Sequence, residues 1–265
     1  MTSQEKLKYR LDKGFHICVG LDSDINKIPE HLLKVDDPIF EFNKAIIEST
    51  SDIACAYKIN LAFYEKDGVK GMESLLKTLE LFTEDILIIG DAKRGDIGNT
   101  SQMYAEALFD HLKFDASTLH PYMGFDSVKP FLNYREKLNF ILALTSNPSN
   151  SDFEKLKLED GKYLYHKVIE KVHNWNSAQN CGIVFGATNS YELSENINMI
   201  GNLPVLLPGV GAQGGSLEEI VKIFNLAEQE QYIVNVSRAL IYADRSENFY
   251  KTAQKILKEY NSITL

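Results

Sequence analysis

The sequence predicts an α/β protein, a single (β/α)8 TIM barrel over residues 1–265 with one extra N-terminal helix. Three observations carry this expectation. Eight short apolar runs recur at even spacing along the chain. They are near-continuous and not alternating, which marks strands buried on both faces, as parallel sheets require. Helix-period segments lie between them, and strand–helix units in series build a parallel sheet. Eight units close a barrel, and 265 residues is near the roughly 250 usual for one.

The elements follow in order. The chain opens Met1-Thr2-Ser3-Gln4-Glu5-Lys6, with Thr2 as N-cap and Glu5 three residues on, a capping box for the extra helix. It lacks the apolar core of a signal peptide. The strand candidates are 16–21 (HICVGL), 53–59 (IACAYKI), 85–90 (DILIIG), 116–120 (ASTLH), 140–145 (FILALT), 181–186 (CGIVFG), 204–208 (PVLLP) and 232–236 (YIVNV). Helical patterning covers 38–50, 99–112, 160–178 and 246–260, among others. Pro38 suits a first helical position, and Asn99 and Ser216 read as start signals. The longest irregular stretch, 146–160, is rich in Ser and Asn. It reads as a passive surface loop, with a lid as the alternative.

Composition narrows the function. Hydrophobic residues make up 44% and charged residues 25%, which excludes disorder, collagen and a disulfide scaffold. Lys and Arg number 28 against 37 Asp and Glu, a net charge of −9. Such a chain is a poor nucleic-acid binder, so an anionic ligand must meet a local cluster of positive groups. No run reaches the roughly 18 apolar residues of a membrane helix, so no membrane partner is expected. Cys18, Cys55 and Cys181 each sit inside an apolar run and read as buried thiols. They lack zinc spacing, and a reducing, cytoplasmic setting is expected.

Chemistry in such a barrel collects at the C-terminal strand ends. Asp22 follows the first run and Lys58 closes the second. The third runs into Asp91-Ala92-Lys93-Arg94-Gly95-Asp96-Ile97, and the fifth into Thr145-Ser146-Asn147. Residues two apart share one side of a strand, so Asp91 and Lys93 are both expected to face the axis. With Lys58 beside them and Asp96 in the next loop, an alternating array Lys58–Asp91–Lys93–Asp96 results. Buried charges cost free energy unless paired, so a purely structural protein has no need of it. The bland alternative is an ion-pair cluster at the rim, worth little. The segment 208–215 (PGVGAQGG) precedes a helix start, and Arg238 closes the eighth run. Glycines let backbone N–H groups approach an anion, a helix N-terminus favours it, and Arg adds a bidentate cation. Phosphate binding is expected there. His16, His111, His166 and His173 read as structural and His31 as solvated, while Trp175 reads as packing. His120 could line the pocket, but packing is the favoured reading. No HExxH, GxSxG, P-loop or dinucleotide fingerprint is present.

The segment DAKRGDIGNT (91–100) resembles the signature of the orotidine 5′-phosphate decarboxylase family. VGLDSD (19–24), AYKINLAFYE (56–65), LTSNPS (144–149), PGVGAQGG (208–215) and SRALIYA (237–243) resemble its other blocks, in the right order. The second and third look like the longer bacterial branch, where Pro is expected in place of Ile59 and Asn in place of His120. The resemblance implies conversion of orotidine 5′-monophosphate to UMP and CO2, the last step of pyrimidine nucleotide synthesis, with no cofactor or metal. It implies Lys93 as proton donor to C6, Asp91 beside the departing carboxylate and Lys58 bridging that aspartate and the ribose. It implies a homodimer with shared active sites, in which Asp96, Ile97 and Thr100 come from the second subunit. Asp22 would bind a ribose hydroxyl and Ser146 the pyrimidine edge. Gln213, Gly214, Gly215 and Arg238 would hold the phosphate. Metal-dependent hexulose-phosphate synthases and keto-gulonate-phosphate decarboxylases share a DxKxxD motif, but the context of Lys93 to Ile97 and Gln213 favours the nucleotide enzyme.

Overall fold

Eight parallel strands close into a barrel in chain order, in a computed structural model that describes residues 1–211 and 213–264. They are β1 (Ile17–Gly20), β2 (Ala56–Asn60), β3 (Leu87–Arg94), β4 (Ala116–Leu119), β5 (Leu138–Leu144), β6 (Cys181–Phe185), β7 (Val205–Pro208) and β8 (Tyr232–Val236). The expected (β/α)8 architecture holds, and β1 closes the ring by pairing Ile17 with Val234. Ala212, inside the Gly-rich segment, and Leu265 lie outside the described residues.

Strand side chains alternate, so every second residue faces the barrel interior. Leu87, Ala116, Leu138, Phe140 and Ile233 fill that interior as an apolar plug. Their neighbours Val19, Tyr57, Ile141 and Val234 point outward into the larger core under the helices. The same parity carries Lys58 and Asn60 on β2, beyond Ala56, to the inner face above the plug. It does the same for Asp91 beyond Ile89 and for Thr118 beyond Ala116.

Several boundaries differ from the sequence expectation. The second strand starts at Ala56, because Ile53 and Ala54 still bond back to Thr50 at the end of helix Pro38–Thr50. The third runs four residues past 90, to Arg94. Helix Gly98–Glu106 starts without a side-chain cap, so Asn99 is not its start signal. It continues as a wider π turn over Ala107–His111, in which the Leu112 N–H reaches the Ala107 carbonyl at 3.0 Å. The segments 160–178 and 246–260 are helical over Leu164–Trp175 and Phe249–Thr264. The caps at Thr2 and Ser216 are as expected, accepting the Glu5 and Glu219 N–H groups at 3.2 Å each. Helices Gly68–Leu79, Phe125–Leu132 and Ser190–Ile200 occupy further βα units.

The extra helix, Ser3–Leu11, seals the floor of the barrel. Leu7 and Leu11 extend the plug. Lys6 Nζ lies 2.9 Å from both Asp115 carboxylate oxygens, and Asp115 Oδ2 also accepts the Ile88 N–H at 3.0 Å. This pair is buried, so removing one partner strands the other's charge. Asp115→Ala is expected to cost about 3–5 kcal/mol. Urea unfolding would show the earlier midpoint, while the folded fraction keeps its specific activity. The three thiols are buried, and burial pushes Cys55 and Cys181 up to about 12, so both are unreactive packing groups. Among the described residues no helix is long and apolar enough to cross a membrane.

Candidate active site

The inward side chains at the strand ends meet in a cleft of about 540 Å³ at the C-terminal mouth. That is within the range of small-ligand pockets. Asp91 is its buried centre. Lys58 Nζ stands 2.9 Å from Asp91 Oδ2, and Lys93 Nζ stands 2.6 Å from Asp91 Oδ1. Asp22 Oδ1 lies 3.4 Å from the same Lys58 ammonium. Four charges therefore alternate in sign along one wall. Burial alone would raise the Asp91 pKa, but Lys58 and Lys93 outweigh it and hold the carboxyl well below its usual range. Burial would likewise lower Lys58, yet Asp22 and Asp91 hold it above the ordinary lysine value. Both groups are thus ionised at neutral pH.

Lys93 reaches this array by a route that alternation does not describe. Gly90 pairs with Ser117 and Arg94 with Leu119, so three residues of β3 oppose one of β4. Lys93 sits in that bulge with φ at +46°, outside strand geometry. Its side chain faces the axis because the bulge re-aims it, not because it is two residues from Asp91.

Asp96 does not join the array within one chain. Its carboxylate instead accepts the N–H of Ile97 at 2.8 Å. Asp96, Ile97 and Thr100 are not among the cleft-lining residues. Ile97 is 53% exposed. The single-chain array is therefore Asp22–Lys58–Asp91–Lys93 and not the sequence expectation ending in Asp96.

The other wall holds Ser146, Gln213 and Arg238. Gly186 has no room for a side chain, since a Cβ there would lie 2.6 Å from the Ser146 nitrogen. This close approach seats the Ser146 backbone over β6. Gly209, at φ +106°, lets β7 turn into the Gly-rich loop. That loop bonds to itself. The Gly214 N–H donates to the Gly211 carbonyl at 2.9 Å, and the Gly215 N–H to the Gly209 carbonyl at 3.1 Å. Both amides expected to receive phosphate are spent within the turn, and neither glycine lines the cleft. The following helix is capped at its start by Ser216 and carries Glu218 and Glu219 in its first turn. Gln213 and Arg238 remain of the groups expected at the phosphate, with Ser146, Asn235 and Ser237 also lining the cleft.

The segment 146–160 is not a passive surface loop. Residues Pro148–Asp152 form a 3-10 turn, and Asn150, Phe153 and Glu154 line the cleft. Glu154 accepts the Thr145 N–H at 2.6 Å, which ties the segment to the end of β5. Burial raises the Glu154 pKa. His120 also lines the cleft, against the favoured reading. Burial, with Lys93 adding to it, lowers its pKa, so the imidazole is neutral at neutral pH. Sequence reasoning passed over Asn60, Thr118 and Asn235, which line the cleft as well. Thr118 and Asn235 each lie two residues beyond an inward apolar residue, Ala116 and Ile233, and Asn60 lies two beyond Lys58, so strand parity could have found them.

A closed parallel barrel with a lysine–aspartate array and a ligand-sized cleft at its C-terminal mouth defines a (β/α)8 enzyme. The chain belongs to the orotidine 5′-phosphate decarboxylase / HUMPS family, whose model matches residues 16–253. It is 51% identical over 256 residues to the orotidine 5′-phosphate decarboxylase of Christiangramia forsetii, covering 96% of this chain and 93% of that protein. The structure of Leishmania donovani OMP decarboxylase superposes with a TM-score of 0.85 at 34% identity, covering 100% of this chain and 99% of that one. Leishmania donovani UMP synthase superposes with a TM-score of 0.87 at 35% identity, and there this chain spans only 57% of the larger protein.

Proposed function

We propose that the chain decarboxylates orotidine 5′-monophosphate to UMP and CO2, using the charged array as its catalytic device. The observation that carries this reading is the Asp22–Lys58–Asp91–Lys93 chain in the cleft. When the C6–carboxylate bond breaks, the electron pair stays at C6 in an sp2 orbital lying in the ring plane. That orbital is orthogonal to the π system, so resonance cannot spread the charge. A fixed cation aimed at the developing charge stabilises it instead. Lys93, pinned 2.6 Å from Asp91, supplies that cation and then gives its proton to C6. The reading calls for no cofactor or metal, since the array itself carries the charge.

The remaining roles follow from position. Asp91 stands beside the departing carboxylate, Lys58 bridges it to the ribose, and Asp22 takes a ribose hydroxyl. Ser146 meets the pyrimidine edge, and Gln213 and Arg238 take the phosphate. A second copy of the chain completes the site in a homodimer, its Asp96, Ile97 and Thr100 reaching the array. The exposed Ile97 and the absence of Asp96 and Thr100 from the cleft lining of the single chain support this. The three buried, unreactive thiols accord with a cytoplasmic setting.

Incubation with orotidine 5′-monophosphate, followed by ultraviolet absorbance in the presence of EDTA, tests the reading. Loss of the substrate spectrum supports it, and an unchanged spectrum overturns it. Arg238→Ala is expected to weaken UMP binding by about 1.5–3 kcal/mol, roughly 10- to 150-fold in Kd and kcat/KM. Uridine, which lacks the phosphate, should bind both proteins alike. Unchanged KM and kcat/KM would count against the role of Arg238.

A further inference from the structure

We propose that Thr118 is a positioning residue for this decarboxylation, holding Asp91 and Lys93 in register through one hydroxyl; the inference rests on the reading above. Thr118 is the single β4 residue facing the three-residue bulge of β3. The ladder is broken there, and the Thr118 side chain replaces it. Its Oγ1 accepts the Lys93 backbone N–H at 3.0 Å and lies 2.8 Å from Asp91 Oδ1. The direction of both bonds is fixed by chemistry. A backbone N–H only donates and an ionised carboxylate only accepts, so the one hydroxyl proton must point at Asp91. Asp91 Oδ1 is the same oxygen that takes the Lys93 ammonium at 2.6 Å. One hydroxyl thus ties the backbone of Lys93 to the carboxylate that holds its side chain, closing a ring of three contacts.

Two features make this tie consequential. Lys93 has a left-handed backbone at φ +46°, a region that residues with a Cβ seldom occupy unless something holds them there. Thr118 is 1% exposed and β-branched, so its own rotamer is stiff and water does not compete for its hydroxyl. Without the hydroxyl, the bulge can relax toward an ordinary ladder. That would turn the ammonium away from the reacting carbon while leaving the phosphate and ribose contacts on the other elements in place.

The test is steady-state kinetics with orotidine 5′-monophosphate on Thr118→Val, which keeps the shape and removes the hydroxyl, and on Thr118→Ser, which keeps the hydroxyl. UMP affinity is measured in parallel. Thr118→Val is expected to lose about 10- to 100-fold in kcat, the scale of a small misplacement of a catalytic group. KM and UMP affinity should stay near the unsubstituted values, and Thr118→Ser should recover most of kcat. If Thr118→Val does not fold, Thr118→Ala removes the same hydroxyl without added bulk and is read in its place. Undiminished kcat without the hydroxyl overturns the inference. So does a kcat loss matched by an equal loss of UMP affinity, or a Ser variant as impaired as Val. A wild-type chain that turns nothing over overturns the underlying reading and this inference together. Wild-type turnover with an equally active Thr118→Val overturns this inference alone.

Discussion

Replacing Lys93 with Ala is expected to lower kcat by at least about 10⁴-fold, while UMP binding largely survives. Two separate contributions are lost at once. A positioned general acid contributes roughly 10²–10⁴-fold, and a preorganised charge facing a developing anion about 10²–10³-fold. Ground-state binding draws on other groups. Gln213 and Arg238 on the far wall and Asp22 and Lys58 on the near wall are untouched by the change. The loss therefore falls on kcat and kcat/KM together and spares product affinity, the pattern of an interaction made mainly in the transition state. The change is also mild for the fold, because the Lys93 side chain is 44% exposed and Asp91 keeps Lys58 at 2.9 Å. Single-turnover rates with UMP titrations would measure both arms. Ordinary activity in the Ala variant would remove Lys93 from the mechanism.

The barrel and three members of the array, Lys58, Asp91 and Lys93, were legible because both depend on local pattern. Continuous apolar runs mark two-sided burial, and a closed barrel sends every strand end to one mouth. Asp22, Lys58, Asp91 and Arg238 could thus be placed from their positions after those runs. What escaped depends on contacts between distant segments. The bulge that aims Lys93 exists only because β4 pairs at Ser117 and Leu119 with Gly90 and Arg94. No pattern within residues 91–96 encodes that register. Gly214 and Gly215 have the composition of an anion-binding loop, but whether their amides are free is settled by how the turn bonds to itself. The polar 146–160 segment looked solvated, yet Glu154 finds the backbone of Thr145 and turns it inward. Polar composition there signalled hydrogen bonding to the barrel rim as much as exposure to water.

Asp91→Leu is expected to destabilise the fold by about 3–5 kcal/mol, and Lys58→Met combined with Asp91→Leu to recover most of that loss. Asp91 and Lys58 are both buried, at 8% and 4% side-chain exposure. Removing the carboxylate takes away the partner at 2.9 Å and leaves Asp22 at 3.4 Å as the remaining acid beside Lys58, so part of the ammonium's desolvation goes uncompensated. Replacing both by apolar groups removes the cost and the compensation together, which is why such exchanges are often neutral or stabilising. The pH dependence separates the cases. In the wild type the depressed Asp91 contributes stability that is present above the ordinary carboxylate range and fades only as pH falls below it. The raised Lys58 contributes stability present below the ordinary lysine range near 10.4, lost only as pH climbs past it. The pair's contribution is therefore level through neutrality. In Asp91→Leu only Asp22 opposes the desolvation of Lys58, so the Lys58 pKa falls from its wild-type position and the deficit against wild type narrows as pH rises through the lysine range. In the double variant no such slope remains. Urea midpoints at pH 6, 8 and 9.5 would show it. Both variants should be catalytically silent, and a double variant that folds well but turns nothing over would show that these charges are kept at the barrel mouth for chemistry, at a cost to the fold. A double variant as unstable as the single, or one that still decarboxylates, would return the array to the role of a structural ion cluster.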